Sequence, residues 1–110
     1  MPAKQVRIED LQPTDTLRQE TVSFLETLTP EQIKGLGMPQ VWETSSGLLI
    51  SDGNHRAAVL AQQGANSIEV DYNPAKNIPE YLQEFLTEVI KRAKNLTSKS
   101  IYSVYDLWQA

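Results

Sequence analysis

Apolar and polar positions along this chain mark out a series of short elements. Val6-Arg7-Ile8 alternates and predicts a strand, ended by Glu9-Asp10 and the turn residues Pro13-Thr14-Asp15. Leu17, Val22, Leu25 and Leu28 fall roughly on one face of a helix over Thr16–Leu28, with Asp15 or Thr16 as its N-cap. Thr29-Pro30-Glu31-Gln32 reads as a second helix start, with Thr29 as N-cap, Pro30 in the first helical position and Gln32 closing a capping box. Gly35 and Gly37 keep that helix short.

Val41–Thr44 and Leu48–Ser51, joined through Ser45-Ser46-Gly47, predict a β-hairpin. Its second arm is continuously apolar, as expected for a strand covered on both faces. A helix over Asn54–Gln63 follows, with Asp52 as its N-cap and Gly64 as its stop, and then an alternating strand over Ile68–Tyr72. This strand–helix–strand run predicts a parallel, right-handed crossover. Beyond Pro74 and Pro79, Leu82, Phe85, Leu86, Val89, Ile90 and Ala93 follow the spacing of an amphipathic helix. Glu80 and Glu84 near its start and Lys91, Arg92 and Lys94 near its end match the helix dipole, so the basic group reads first as a solvated helix end. Ile101, Val104, Tyr105, Leu107 and Trp108 call for burial, against the domain itself or against a second copy or protein partner through Ile101–Trp108.

Composition narrows the class. A chain of 110 residues holds one core, so residues 1–110 read as one domain with a helical extension over 79–110. Nothing near Lys4 and Arg7 resembles a signal peptide, and no run approaches the ~20 apolar residues of a membrane helix. The absence of cysteine excludes disulfides, thiolate chemistry and Cys-ligated metals, and the cytoplasm is the expected compartment. The net charge of −4 is concentrated in residues 1–50, where four basic and seven acidic side chains give −3. Such a chain lacks the general basic footprint of a duplex-DNA binder.

The chemistry gathers where the apolar strand Leu48-Leu49-Ile50 breaks into Ser51-Asp52-Gly53-Asn54-His55-Arg56 and restarts as a helix. Gly53 permits a sharp turn and close approach of a ligand. The N–H groups of Asn54, His55 and Arg56 lie in the first helical turn, where an anion is favoured. Arg56 can fork onto phosphate oxygens, and His55, the chain's one histidine, can donate to a phosphate, bind a metal or shuttle a proton. Asp52 can cap the helix or help hold a divalent cation.

The order of these residues extends the picture. Asp52-Gly53-Asn54-His55-Arg56, followed by Ala57, Ala58, Ala61, Gly64 and Ile68-Glu69-Val70, resembles the ParB/sulfiredoxin superfamily. That family has an apolar strand, a DG-x-HR or G-x-x-R loop, an alanine-rich helix ending at glycine, and an I-x-V strand. Val6–Pro13 resembles its opening strand and L-x-P turn, Arg18 and the helix after it resemble the next element, and Pro39-Gln40-Val41-Trp42 resembles the strand before the hairpin. The likeness spans residues 5–73. It implies a small α/β (α+β) domain, a mixed β-sheet packed with helices, whose loop holds a nucleotide phosphate. Gly53, His55 and Arg56 carry over as phosphate contacts and Asp52 as the acidic residue of the DG-x-HR variants, which include ParB-like nuclease proteins and a nucleotide-dependent free-serine kinase. Where sulfiredoxins have the catalytic cysteine of G-C-H-R this chain has Asn54, so sulfinic-acid reduction is excluded. Asn54 and His55 also replace the glutamate and first arginine of the partition proteins' G-E-R-R, and no room remains for their DNA-binding domain.

Three functions follow. The first is a nucleotide-dependent phosphotransferase or phosphohydrolase, with Asp52 and His55 in catalytic roles, Gly53, Asn54, His55 and Arg56 on the phosphates, and Mg²⁺ entering with ATP, ADP or CTP. Its base would come from Glu9, Asp10 or Asp15. The second is a non-catalytic nucleotide sensor or protein-interaction module. The third is a ParB-like nuclease or DNA-binding protein, which the acidic charge disfavours.

Overall fold

The computed structural model describes residues 3–110. Five strands form one mixed sheet: β1 (Ala3–Arg7), β2 (Leu11–Gln12), β3 (Gln40–Thr44), β4 (Gly47–Asp52) and β5 (Ser67–Pro74), in the order β1-β5-β3-β4-β2. The helices are α1 (Gln19–Glu26), α2 (Pro30–Gly35), α3 (Asn54–Gln62) and α4 (Glu80–Thr97), with 3-10 turns at Ile8–Asp10 and Val104–Gln109. The molecule is an α+β domain, and none of its described helices is long and apolar enough to cross a membrane.

The hairpin forms as its pattern predicts. β3 and β4 pair antiparallel from Gln40↔Asp52 to Thr44↔Gly47, turning at Ser45-Ser46. β4 is covered on both faces. Ile50 joins Leu25, Ile33, Ala58, Ile68 and Val70 in the larger core beneath α1, α2 and α3, while Leu49 joins Trp42, Leu86, Val89 and Ala93 beneath α4. Two helical layers therefore enclose the sheet. The last turn of α4 places Leu96 back in the larger core, beside Ile101, Val104 and Leu107. The C-terminal segment thus packs on its own domain, and Trp108 Nε1 donates to the Ala58 carbonyl at 3.1 Å.

Four local expectations are corrected. The first strand ends at Arg7, and Ile8 instead opens a 3-10 turn, fully buried, with its N–H donating to the Asn66 carbonyl at 2.9 Å. Helix α1 is shorter than Thr16–Leu28, and its N-cap position is Arg18 rather than Asp15 or Thr16. Just before it, Thr14 and Arg18 bond Asn54 and His55 of α3. The third correction concerns α3, whose N-cap position is Gly53, without a side-chain cap, so Asp52 does not serve there.

The fourth concerns direction. β5 runs parallel to β3 (Gln40↔Asp71 to Glu43↔Pro74) and therefore antiparallel to β4, so β4-α3-β5 is not a parallel crossover. β5 occupies the open edge of β3, two strands from β4, and α3 carries the chain across the sheet. Its other edge pairs antiparallel with β1 from Ala3↔Asp71 to Arg7↔Ser67. β5 thus bridges two partners along its length, and the Asp71 N–H also donates to the Pro39 carbonyl at 2.9 Å.

Candidate functional site

The loop between β4 and α3 opens into a cleft of about 500 Å³, walled by the chain before α1, by α1 itself and by the last turns of α4. Gly53 forms the turn at φ +102°, a left-handed conformation that L side chains rarely adopt. A Cβ here would stand 2.7 Å from Pro39 Cβ and 2.8 Å from Pro39 Cα, so glycine is required by packing as well as by torsion. The first amide of α3 to find an intrahelical acceptor is that of Ala57, bonded to the Gly53 carbonyl at 3.0 Å. The N–H groups of Asn54, His55 and Arg56 precede it, and no described side chain caps them.

The side chains expected to hold the ligand divide into braces and contacts. Asn54 is buried and acts as a brace. Its Oδ1 accepts from the Thr14 N–H at 2.9 Å, and its Nδ2 donates to Thr14 Oγ1 at 3.1 Å. Thr14 Oγ1 in turn donates to the Ile50 carbonyl at 2.6 Å. This closed network pins the chain before α1 against the end of β4.

His55 is also buried, and its Nε2 accepts the backbone N–H of Arg18 at 2.8 Å. The ring therefore serves as the N-terminal cap of α1, reaching across 37 residues of sequence. Burial, reinforced by the Arg18 cation and opposed by Asp15, lowers its pKa below the usual 6.5. The imidazole is thus neutral at pH 7 with its proton on Nδ1. Nδ1–H finds no acceptor among the described residues and remains a donor for the cleft that His55 lines.

Arg56, largely buried, uses its fork internally. Nη1 donates to the Gly37 carbonyl at 2.8 Å and Nη2 to Asp52 Oδ2 at 3.2 Å. It ties the loop after α2 to the start of α3 and contributes positive charge to the cleft wall. Asp52, 72% exposed, neither caps a helix nor belongs to a carboxylate cluster, and among the described residues no three acidic, histidine or cysteine side chains gather as metal ligands do.

Two further cationic residues line the cleft, and neither stands out in the sequence as a ligand contact. Arg18 is at the mouth of the cleft, 62% exposed, with Asp15 Oδ2 at 3.4 Å from its Nη1. Arg92, also 62% exposed and 3.6 Å from Glu88, reaches the cleft because α4 crosses past β4 toward the chain around Thr14. Lys91 and Lys94 are not among the lining residues, so the basic group of α4 is a solvated helix end with one member turned to the site. No local signal separates Arg92 from its neighbours. Of the three expected bases, Glu9 and Asp10 pair with Arg7 on the 3-10 turn, and only Asp15 lines the cleft.

No family model matches the chain, and no curated protein matches it. Among solved structures, protein Atu1540 from Agrobacterium tumefaciens superposes with a TM-score of 0.60 at 15% identity, over 97% of this chain and 61% of its own. The chain therefore spans about three-fifths of that protein's length. At this identity the likeness shows a common fold, in keeping with the mixed sheet and two helical layers.

Proposed function

We propose that this chain is a ParB/sulfiredoxin-like binding domain that holds a nucleotide or another phosphate ligand at the start of α3. The carrying observation is the convergence of one type of group on one cleft. Three uncapped amide donors at a helix N-terminus, the Nδ1–H of neutral His55, and the guanidinium groups of Arg18, Arg56 and Arg92 all line it. Donors of this kind, with two carboxylates against three guanidinium groups, suit a multiply charged oxyanion.

Binding is favoured over turnover by the state of the side chains. His55 has its basic nitrogen engaged by the Arg18 N–H, so it is not poised to accept a proton. A phosphotransferase would use Asp15 as the base, the one expected carboxylate base that reaches the cleft. Mg²⁺ would enter bound to the phosphates of ATP, ADP or CTP, with Asp52 beside it. The cytoplasm, where such nucleotides are abundant, is the compartment this reading requires.

Thermal unfolding with pyrophosphate, ATP, ADP and CTP, with and without Mg²⁺, tests the proposal. Ligand at a hundred times Kd stabilises by about 2.7 kcal/mol, on the order of 10 °C in Tm for a domain of this size. Arg18→Ala and Arg92→Ala, both changes at exposed side chains, are expected to remove most of the shift while leaving the unliganded Tm unchanged. No shift with any of these ligands overturns the proposal.

A further inference from the structure

A second hollow, of about 430 Å³, adjoins the cleft. It shares Thr14, Asp15 and Arg92 with the cleft, and its further walls include Thr16, Asn95 and Lys99. The two cavities therefore meet along Arg92 and form one groove. Arg92, Asn95 and Lys99 follow one another at three and four residues, a single stripe along the end of α4. Helix geometry gives that stripe a rise of roughly 10 Å. All three residues are exposed, and among the described residues no carboxylate stands within ion-pair distance of Lys99. Lys91, Lys94 and Glu88 line neither cavity.

A helix C-terminus ordinarily repels an anion. Here the chain closes its own carbonyls. That of Lys94 accepts from the Ser98 N–H at 3.0 Å and from Thr97 Oγ1 at 2.9 Å, and that of Asn95 accepts from Ser98 Oγ at 2.6 Å. The Leu96 carbonyl accepts from the N–H groups of Lys99 and Ile101, each at 2.9 Å, and the Thr97 carbonyl from that of Ser100 at 3.0 Å. Ser100 takes a φ of +66° to complete this turn. Side chains therefore set the charge of the hollow. Arg92 and Lys99 stand there against Asp15, which already has Arg18 Nη1 at 3.4 Å. The stripe lies outside residues 5–73, so the resemblance to the superfamily does not account for it.

We infer that Arg92, Asn95 and Lys99 form a second anion subsite, and that the groove takes a linear chain of phosphates longer than a diphosphate. The chain runs from the open amides of α3 past Arg92 to Lys99. This inference rests on the phosphate reading of the cleft and adds the length of the ligand. Arg92 borders both parts of the path, and Lys99 only the far one.

Calorimetric titration of the full chain with pyrophosphate and with linear octaphosphate separates the two readings. Octaphosphate is expected to bind about tenfold more tightly, because its far end engages a second subsite without a second association step. Lys99→Ala should weaken octaphosphate roughly fivefold, the scale of one exposed charge contact, and leave pyrophosphate within about twofold. Lys94→Ala, the same loss of charge on another face of α4, should leave both ligands within about twofold. If octaphosphate binds no more tightly than pyrophosphate, or if Lys94→Ala costs as much as Lys99→Ala, the second subsite is overturned and the phosphate site stands. If a single-stranded oligonucleotide of equal charge binds more tightly than octaphosphate, the ligand class is overturned. If no ligand binds, both readings fall.

Discussion

Helices α2 and α3 both follow a turn and both begin with unpaired amide donors, yet they treat those donors in opposite ways. At α2, Thr29 Oγ1 accepts from the Gln32 N–H at 3.2 Å, Gln32 Oε1 accepts from the Thr29 N–H at 2.9 Å, and Pro30 removes a donor altogether. At α3 the cap position is a glycine with no side chain, the preceding carboxylate turns to Arg56, and the first three amides have no side-chain acceptor among the described residues. The N-cap residues of α1 and α4 make no side-chain cap either, but only at α3 does an uncapped start share a cleft with Arg18, Arg56 and Arg92 without an acceptor from elsewhere in the chain. Closed donors belong to stability; open ones are available for a ligand.

The largest effect expected on this contrast comes from closing the α3 turn. Gly53→Ala forces a left-handed torsion on a residue with a Cβ and drives that Cβ into Pro39, so unfolding by denaturant should show a loss of about 3 kcal/mol. Gly35, in the last turn of α2, has nothing within 4 Å of the place a Cβ would take, and Gly35→Ala should be neutral or stabilise by up to about 1 kcal/mol. Equal losses at the two glycines would show that the α3 turn is not the constrained one.

His55→Ala should come next, at about 2 kcal/mol, because it leaves the Arg18 N–H without its acceptor. A pH dependence accompanies it. Since burial holds the folded-state pKa of His55 below the unfolded value of 6.5, the unfolded chain binds the extra proton first as pH falls. The contribution is complete above pH 6.5 and declines as pH drops from there through the folded-state pKa. Denaturation profiles from pH 8 to 5 should show this slope in wild type and lack it in His55→Ala.

What could be read from sequence was whatever is encoded within a few residues. The capping box of α2, the hairpin turn at Ser45-Ser46, the amphipathic run of α4 and the stop at Gly64 each depend on neighbours in the chain, and each is present. The strand-to-helix break at Ser51–Arg56 was legible as a turn, and the contacts of its side chains were not. Asn54 and His55 bond Thr14 and Arg18, partners 40 and 37 residues away, so spacing could not show that one is a brace and the other a cap. Arg92 enters the cleft only because of the path α4 takes across the sheet. The direction of β5 escaped for a similar reason: the handedness rule applies once strands are known to be parallel, and here β3 rather than β4 is the parallel neighbour.

The smallest effects sharpen the contrast between the two helix starts. Thr29→Ala opens the box at α2 and should cost about 1 kcal/mol, with no change in pyrophosphate affinity, since α2's N-terminus lines none of the cleft. Asp52→Ala removes the residue that would be the cap of α3 if sequence position alone decided it. Its carboxylate is mostly solvent-exposed and makes one ion pair, so the stability change should stay within about 0.5 kcal/mol. Affinity for pyrophosphate in the absence of Mg²⁺ should instead rise, because a negative charge leaves the cleft and Arg56 Nη2 is released toward it. A loss near that of Thr29→Ala, with affinity unchanged, would mean that Asp52 does cap α3 in solution and that its amides are as closed as those of α2.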